Sequence, residues 1–321
     1  VEATGGRGAT GSLPHRMGTR RPFPAHILVF IAPAVAIYTV FMVFPLFDSL
    51  RLSLYAPQGG GSVFTGLGNY VRLLTDPLYA PRFWGAVRHN LVFFAVHMLV
   101  QNPIGLVLAV ALSSRRLRGR TVYRTLLFMP TVLSFVIVGF IWQLILSPLW
   151  GVGEAMMRMA GLGGYFRPWL GMEGPALVAL SLISVWQFVG VPMLLFHAAL
   201  LAIPDEFIEA ARVDGASGWM TFWRIVFPLI LPTVGVVAIL TYVGNFNAFD
   251  LIYTVQGALA GPNFSTDILG TLFYRTFFGF QLQLGNPTMG ATISGAMFAL
   301  IMAGVLLYVF VWQRRVQVYE L

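Results

Sequence analysis

Hydrophobic residues fill six long stretches of this chain, and polar residues gather between them. The stretches cover 27–49, 87–112, 126–146, 176–202, 227–249 and 289–312. A helix of about 20 apolar residues crosses the roughly 30 Å hydrocarbon layer of a membrane. Each stretch therefore predicts one membrane-spanning helix, and together they predict an all-α membrane protein with six transmembrane helices. Pro33, Pro45, Pro103, Pro130, Pro192 and Pro232 fall inside or at the edges of these runs. Neighbouring helices re-satisfy the carbonyls a proline frees, so kinks are expected here, not breaks.

Between the runs, 51–85 and 147–174 read as loops with turn residues at Gly59-Gly60-Gly61 and at Gly161 to Gly164. The aromatic segment LGTLFYRTFFGF, 269–280, predicts a helix lying at the membrane interface, where aromatic rings prefer to sit. Its functional alternative is a lip that meets a delivering partner. Residues 1–25 are rich in Gly, Arg and Pro and are expected to be disordered. Basic residues before an apolar run follow the order of a signal peptide. The run is too long and has no small-x-small cleavage site, so it reads as a retained first span. No tandem repeat or second domain is visible.

Composition narrows the class. Of the 321 residues 57% are hydrophobic and 10% charged, whereas a soluble domain carries about a quarter charged. All 20 basic residues are arginines, and the net charge is +8. The arginines lie in loops between apolar runs, which the positive-inside bias explains without nucleic acid. Arg7, Arg16, Arg20, Arg21, the cluster from Arg115 to Arg124, Arg212, Arg224, Arg314 and Arg315 put 13 arginines on one side against 7 on the other. That side is predicted to be cytoplasmic and to hold both termini. With no cysteine there is no disulfide, thiol nucleophile or cysteine metal site.

Polar residues inside the runs are costly and are functional candidates. Asp48 and Asp250 stand only at run ends, so the buried carboxylates of an ion-driven transporter are missing from the spans. The neutral set is His97, Gln101, Asn102, Gln143, Gln187, His197, Asn245 and Asn247. An amide beside an aromatic ring suits a sugar, whose hydroxyls donate and accept and whose C–H faces stack on rings. Trp142-Gln143, Trp186-Gln187 and Asn245-Phe246-Asn247 have that composition, and Gln143, Trp186, Gln187, Asn245, Phe246 and Asn247 are the candidate substrate path. Gln101 and Asn102 read as helix-packing groups, and His97 and His197 as buried neutral hydrogen-bonding groups.

One polar, glycine-broken segment, EAARVDGASGWMTFWRIVFPLILP from 209 to 232, separates two apolar runs. Pro204 suits the first helical position and Asp205 and Glu206 suit the positive end of the dipole, so a short helix should run to about Val213. Gly215 and Gly218 permit a sharp turn, and Ser217 can cap a second helix toward Pro228. Ala210, Ala211 and Ala216 would offer small surfaces for close approach, with Glu209 and Asp214 supplying charge. This loop is suited either to docking in a partner's groove or to lying as a partnerless amphipathic loop on the membrane.

Glu209, Ala210, Ala211, Asp214, Gly215, Ala216, Ile225, Pro228 and Pro232 together resemble the EAA loop of importer permeases in the ATP-binding-cassette superfamily. FPLFDSLRLSLY (44–55), FTGLGNYVRLLTDP (64–77) and GNFNAFDLIYTVQG (244–257) are similar to its carbohydrate branch, which includes the maltose permeases. The resemblance implies a permease domain over 26–321, with a cytoplasmic coupling loop at 204–228 that docks on a separate ATPase. It also implies a second, related permease, two copies of an ATP-binding subunit, an extracytoplasmic sugar-binding protein and a bacterial inner-membrane location. The chain has no G-x-x-x-x-G-K-[ST] motif, so ATP and Mg would be held by the partner subunit and no cofactor by this chain. The maltose-permease pattern has an asparagine where Ala248 stands, so the resemblance leaves the identity of the sugar open. Alternatives are a permease for another solute such as glycerol phosphate, a secondary transporter, and an intramembrane serine protease. The last is suggested by Gly215-Ala216-Ser217-Gly218 but lacks a histidine after His197.

Overall fold

The computed structural model describes residues 25–314, apart from Gly60, Arg115, Arg116, Leu282 and Gln283. The N-terminal segment expected to be disordered lies, but for residue 25, outside the described residues, as do Arg115, Arg116 and Arg315. The chain divides into two compact units, residues 1–47 and 48–321. In the first, the described residues form the helix Ala25–Tyr38 and the π turn Thr39–Val43.

Among the described residues four helices are long and apolar enough to cross a membrane unaided: Val29–Leu52, Ala80–Ser113, Gly218–Phe246 and Pro287–Gln313. They coincide with the first, second, fifth and sixth apolar runs. Three pairs of helices reach that length only together, across bends: Arg120–Val132 with Phe135–Leu146 (97°), Gly163–Gly171 with Ala176–Phe188 (96°), and Gly190–Leu201 with Asp205–Val213 (69°). By length and composition the spans number between four and seven.

Proline acts in two ways in these helices. Proline has no N–H, and its ring crowds the carbonyl four residues back. Before Pro45, Pro103 and Pro228 the helix widens into the π turns Thr39–Val43, His97–Gln101 and Phe222–Val226. The residue preceding each proline bonds back to Thr39, His97 and Phe222 respectively, five residues away, and the helix continues. At Pro130 the turn instead tightens into the 3₁₀ segment Met129–Val132, and Leu133 and Ser134 become extended. Ser134 then caps a new helix by accepting the Ile137 N–H at 3.3 Å. The kink expected in the third run is a break.

A two-stranded antiparallel hairpin departs from the all-helical expectation: Tyr55–Gln58 pairs with Gly61–Phe64, with Tyr55 opposite Phe64. Gly59, at φ +58°, supplies the left-handed turn. Asn69, within the 64–77 motif, donates to the Ser53 and Tyr55 carbonyls, both at 2.8 Å, and so ties the hairpin to the chain that follows.

Among the described residues four apolar clusters pack the second unit, two of them large. One joins Phe93, Val138, Leu180, Ile183, Ile252 and Ile268. The other joins Leu73, Phe83, Leu269, Leu272, Met289 and Ile293. The aromatic segment expected at the membrane interface is the helix Leu269–Phe278, and six of its residues are buried. Its polar members Thr271 and Arg275 face inward to Asp267, an arrangement that a reading of its outward amphipathicity misses.

Candidate functional site

The polar loop folds as helix, turn, helix. Pro204 stands at the N-cap, with ψ 139°, one position before the place expected from sequence, because its extended backbone ends the bend from Gly190–Leu201. Asp205 and Glu206 occupy the first turn of Asp205–Val213. The helix closes in a Schellman arrangement: the Gly215 N–H donates to the Arg212 carbonyl at 3.1 Å and the Ala216 N–H to the Ala211 carbonyl at 2.9 Å. Gly215 has φ +77° and open space where a Cβ would stand, so backbone conformation alone calls for glycine there.

Ser217 accepts the Met220 N–H at 3.3 Å and starts the next helix. That helix is not short. It passes through the π turn before Pro228 and continues unbroken as Gly218–Phe246.

Glu209, Ala210, Asp214 and Gly215 are exposed, Ala216 is half-buried and Ala211 is only 5% exposed. Ala211 thus belongs to the interior of the loop. Val213 is 87% and Trp219 75% exposed, and Phe207 and Met220 are exposed beside them. These exposed apolar side chains stand on an otherwise charged loop.

At the far end of the Gly218–Phe246 helix lies a cavity of about 260 Å³. Asn245 and Asn247 line it, and so do His97 and Gln101, which sequence reasoning had assigned to hydrogen bonding and packing. Asn245 is buried; its Nδ2 donates to the Thr241 carbonyl at 2.6 Å, and its Oδ1 has no partner among the described residues. Asn247 donates to the Val243 carbonyl at 3.0 Å. His97 Nδ1 pairs with the Phe93 carbonyl at 2.8 Å and Nε2 with Ser184 Oγ at 3.0 Å.

The remaining candidates stand elsewhere. Phe246 packs in the apolar cluster around Leu269 and Met289. Gln187 lies at the helix break, where its Nε2 donates to the Leu133 carbonyl at 3.1 Å and its main-chain carbonyl accepts from the Thr131 hydroxyl at 3.0 Å. Gln143 donates to the Val255 carbonyl at 2.6 Å, and Trp186 meets Trp142 edge to face at 5.6 Å. His197 pairs with Ser113 at 3.0 Å.

Two further buried polar residues, Asn90 and Asp267, lie outside the candidate set. Asn90 connects the second run to the end of the fifth, and Asp267 forms a bidentate pair with Arg275, at 2.6 and 3.3 Å. Arg275 also donates to the Ala258 carbonyl at 2.8 Å and lies 4.8 Å from the Phe264 ring centroid. A lone charge in an apolar segment was the available signal, and Arg275 gave it.

Comparison with known proteins agrees with this architecture. The family described as "Binding-protein-dependent transport system inner membrane component" matches residues 101–317. The lactose transport system permease protein LacF of Rhizobium radiobacter is 32% identical over 266 residues, covering 83% of this chain and 88% of the relative. The sn-glycerol-3-phosphate transport system permease protein UgpA of Brucella abortus is 33% identical over 279 residues, 84% of this chain and 90% of the relative. A bacterial ABC transporter involved in the import of alginate shares the fold, with a TM-score of 0.74 at 21% identity over 91% of this chain and 96% of that one. With a polar loop at one end of a continuous helix, a cavity at the other, and a family match over most of its length, the chain belongs to the inner membrane components of binding-protein-dependent transport systems.

Proposed function

We propose that this chain is the permease half of a bacterial ATP-driven carbohydrate importer. It crosses the inner membrane six times, with Ala176–Phe188 and Gly190–Leu201 counted as one span and both termini in the cytoplasm. The observation that carries the reading is the 204–228 loop. Its turn exposes Glu209, Ala210, Asp214 and Gly215 beside Val213 and Trp219, and its second helix is continuous with Gly218–Phe246. Ala216 lines the same turn, while Ala211 supports it from inside.

The partners are a second, related permease, a pair of subunits that hold ATP and Mg, and an extracytoplasmic sugar-binding protein. Relatives named for lactose and for multiple sugars support the substrate class. The chain itself supplies no catalytic group. Closure of the ATPases would displace the seated loop, and a rise of 1.5 Å per residue carries that displacement about 40 Å along one helix to Asn245. The cavity then opens to one side or the other, an alternating-access cycle.

The reading is tested by Gly215→Val, Ala210→Trp and Glu209→Lys in the assembled importer. Each should insert normally yet lose sugar uptake, with the ATPase dissociated or no longer stimulated by loaded binding protein. Wild-type association and stimulation in all three would remove the loop from the coupling role.

A further inference from the structure

A second cavity, of about 470 Å³, lies between the helices Ala80–Ser113 and Ala176–Phe188. Arg88, His89 and Val92 line it from the first, Glu173 and Val178 from the second and the turn before it, and Phe264 from the loop ahead of Leu269–Phe278. Its depth follows from contacts within the chain. Asn90, next to His89, bonds to the Asn245 carbonyl, so the cavity stands level with the end of Gly218–Phe246 that is far from the polar loop. Arg88 falls at the start of the second apolar run and Glu173 just before the fourth. That is the level at which hydrocarbon gives way to lipid headgroups.

The charges on its wall are opposite, yet they do not neutralise each other. Arg88 and Glu173 are both exposed, and neither takes part in an ion pair or side-chain hydrogen bond among the described residues. His89 Nδ1 donates to the Asp267 carbonyl at 2.7 Å, since a carbonyl only accepts, and the neutral ring then carries its lone pair at Nε2. Phe264 is not free to cradle a quaternary ammonium, because the guanidinium groups of Arg275 and Arg82 already lie 4.8 and 5.7 Å from its ring centroid. Deeper in the membrane the surface turns apolar. Val92 and Val178 line the cavity itself, and Leu91, Leu99 and Leu182 are exposed on the two helices beyond it.

A phosphodiester matches Arg88, whose fork of N–H donors fits phosphate oxygens. A primary ammonium brings three N–H donors to a carboxylate and an imidazole lone pair, and a trimethylammonium brings none. The exposed leucines and valines below suit acyl chains. We propose that this cavity is a lipid site that seats the headgroup of phosphatidylethanolamine, with the phosphate on Arg88, the ammonium on Glu173 and His89, and the chains along the two helices. The site stands whatever solute the importer carries.

The test uses the assembled importer in nanodiscs of equal parts phosphatidylethanolamine, phosphatidylcholine and phosphatidylglycerol with matched chains. The complex is transferred to mild detergent and its retained lipids are counted by mass spectrometry. The parent should keep about one more phosphatidylethanolamine per permease than Arg88→Gln does, the loss expected when a charge-assisted phosphate contact is removed. Glu173→Lys, which leaves two cations on the wall, should exchange that lipid for phosphatidylglycerol. Both residues are exposed, so neither change strands a buried charge. Equal lipid content in parent and Arg88→Gln, or continued selection of phosphatidylethanolamine by Glu173→Lys, overturns the proposal.

A second measurement leaves both charges in place. The chain has no cysteine, so Val178→Cys carries a single bimane fluorophore at the cavity floor. Phosphatidylethanolamine with brominated chains should quench it more strongly than brominated phosphatidylcholine. Equal quenching overturns the lipid assignment. So does efficient cross-linking of Val178→Cys to the partner permease or the binding protein, which would put a protein over the cavity instead.

Discussion

Asn90 holds Asn245 in place through the main chain: its Nδ2 donates to the Asn245 carbonyl at 2.9 Å, while its Oδ1 accepts the Leu269 N–H at 2.9 Å. One fully buried amide therefore fixes the end of the Gly218–Phe246 helix against the start of Leu269–Phe278. Asn90→Leu would leave the buried Leu269 N–H unpaired, at about 1–3 kcal/mol, and the Asn245 carbonyl with only the longer bond from the Ala248 N–H at 3.4 Å. The purified complex should melt several degrees lower. Equal melting of Asn90→Leu and the parent would show that water replaces the amide at no cost.

The Asp267–Arg275 pair calls for a double-mutant cycle. Asp267 is 5% and Arg275 2% exposed, so removing one partner strands a charge, at about 3–5 kcal/mol. Asp267→Leu and Arg275→Met should each impair folding severely, measured as yield of detergent-soluble complex. The double variant should recover much of that yield, since a buried pair is often replaceable by apolar groups of similar size. No recovery would point to the bonds that Thr271 and Ala258 make with the pair as the essential feature.

Adjacent alanines should behave oppositely. Ala210 is exposed and Ala211 buried. Ala210→Trp should leave insertion and thermal stability unchanged and abolish ATPase association. Ala211→Trp overpacks the loop interior and should cost about 1–3 kcal/mol of stability. Thermal melts of the isolated permease pair separate the two effects.

Topology can be read with single cysteines, because the chain contains none. Val213 is exposed in the loop, and Gly164 is exposed with no atom within 4 Å of a built Cβ. In intact cells, an impermeant thiol reagent should label Gly164→Cys and spare Val213→Cys. Labelling of the Val213 position from outside would reverse the assigned orientation.

Sequence alone determined what depends on neighbours within a turn or two of helix. Runs of apolar residues located the four long helices, and the caps at Ser217 and the glycine at 215 located the loop's turn, since hydropathy and capping act over i to i+4. Tertiary structure decided where each polar side chain spends its hydrogen bonds. Gln187 finds a broken helix 54 residues away, and Asn90 finds a main-chain N–H 179 residues away. The same amide in an apolar run can close a helix end or line a cavity, and only the distant backbone it meets distinguishes the two. Pro130 shows the same dependence, for its 97° break persists because Gln187 satisfies the Leu133 carbonyl at the break.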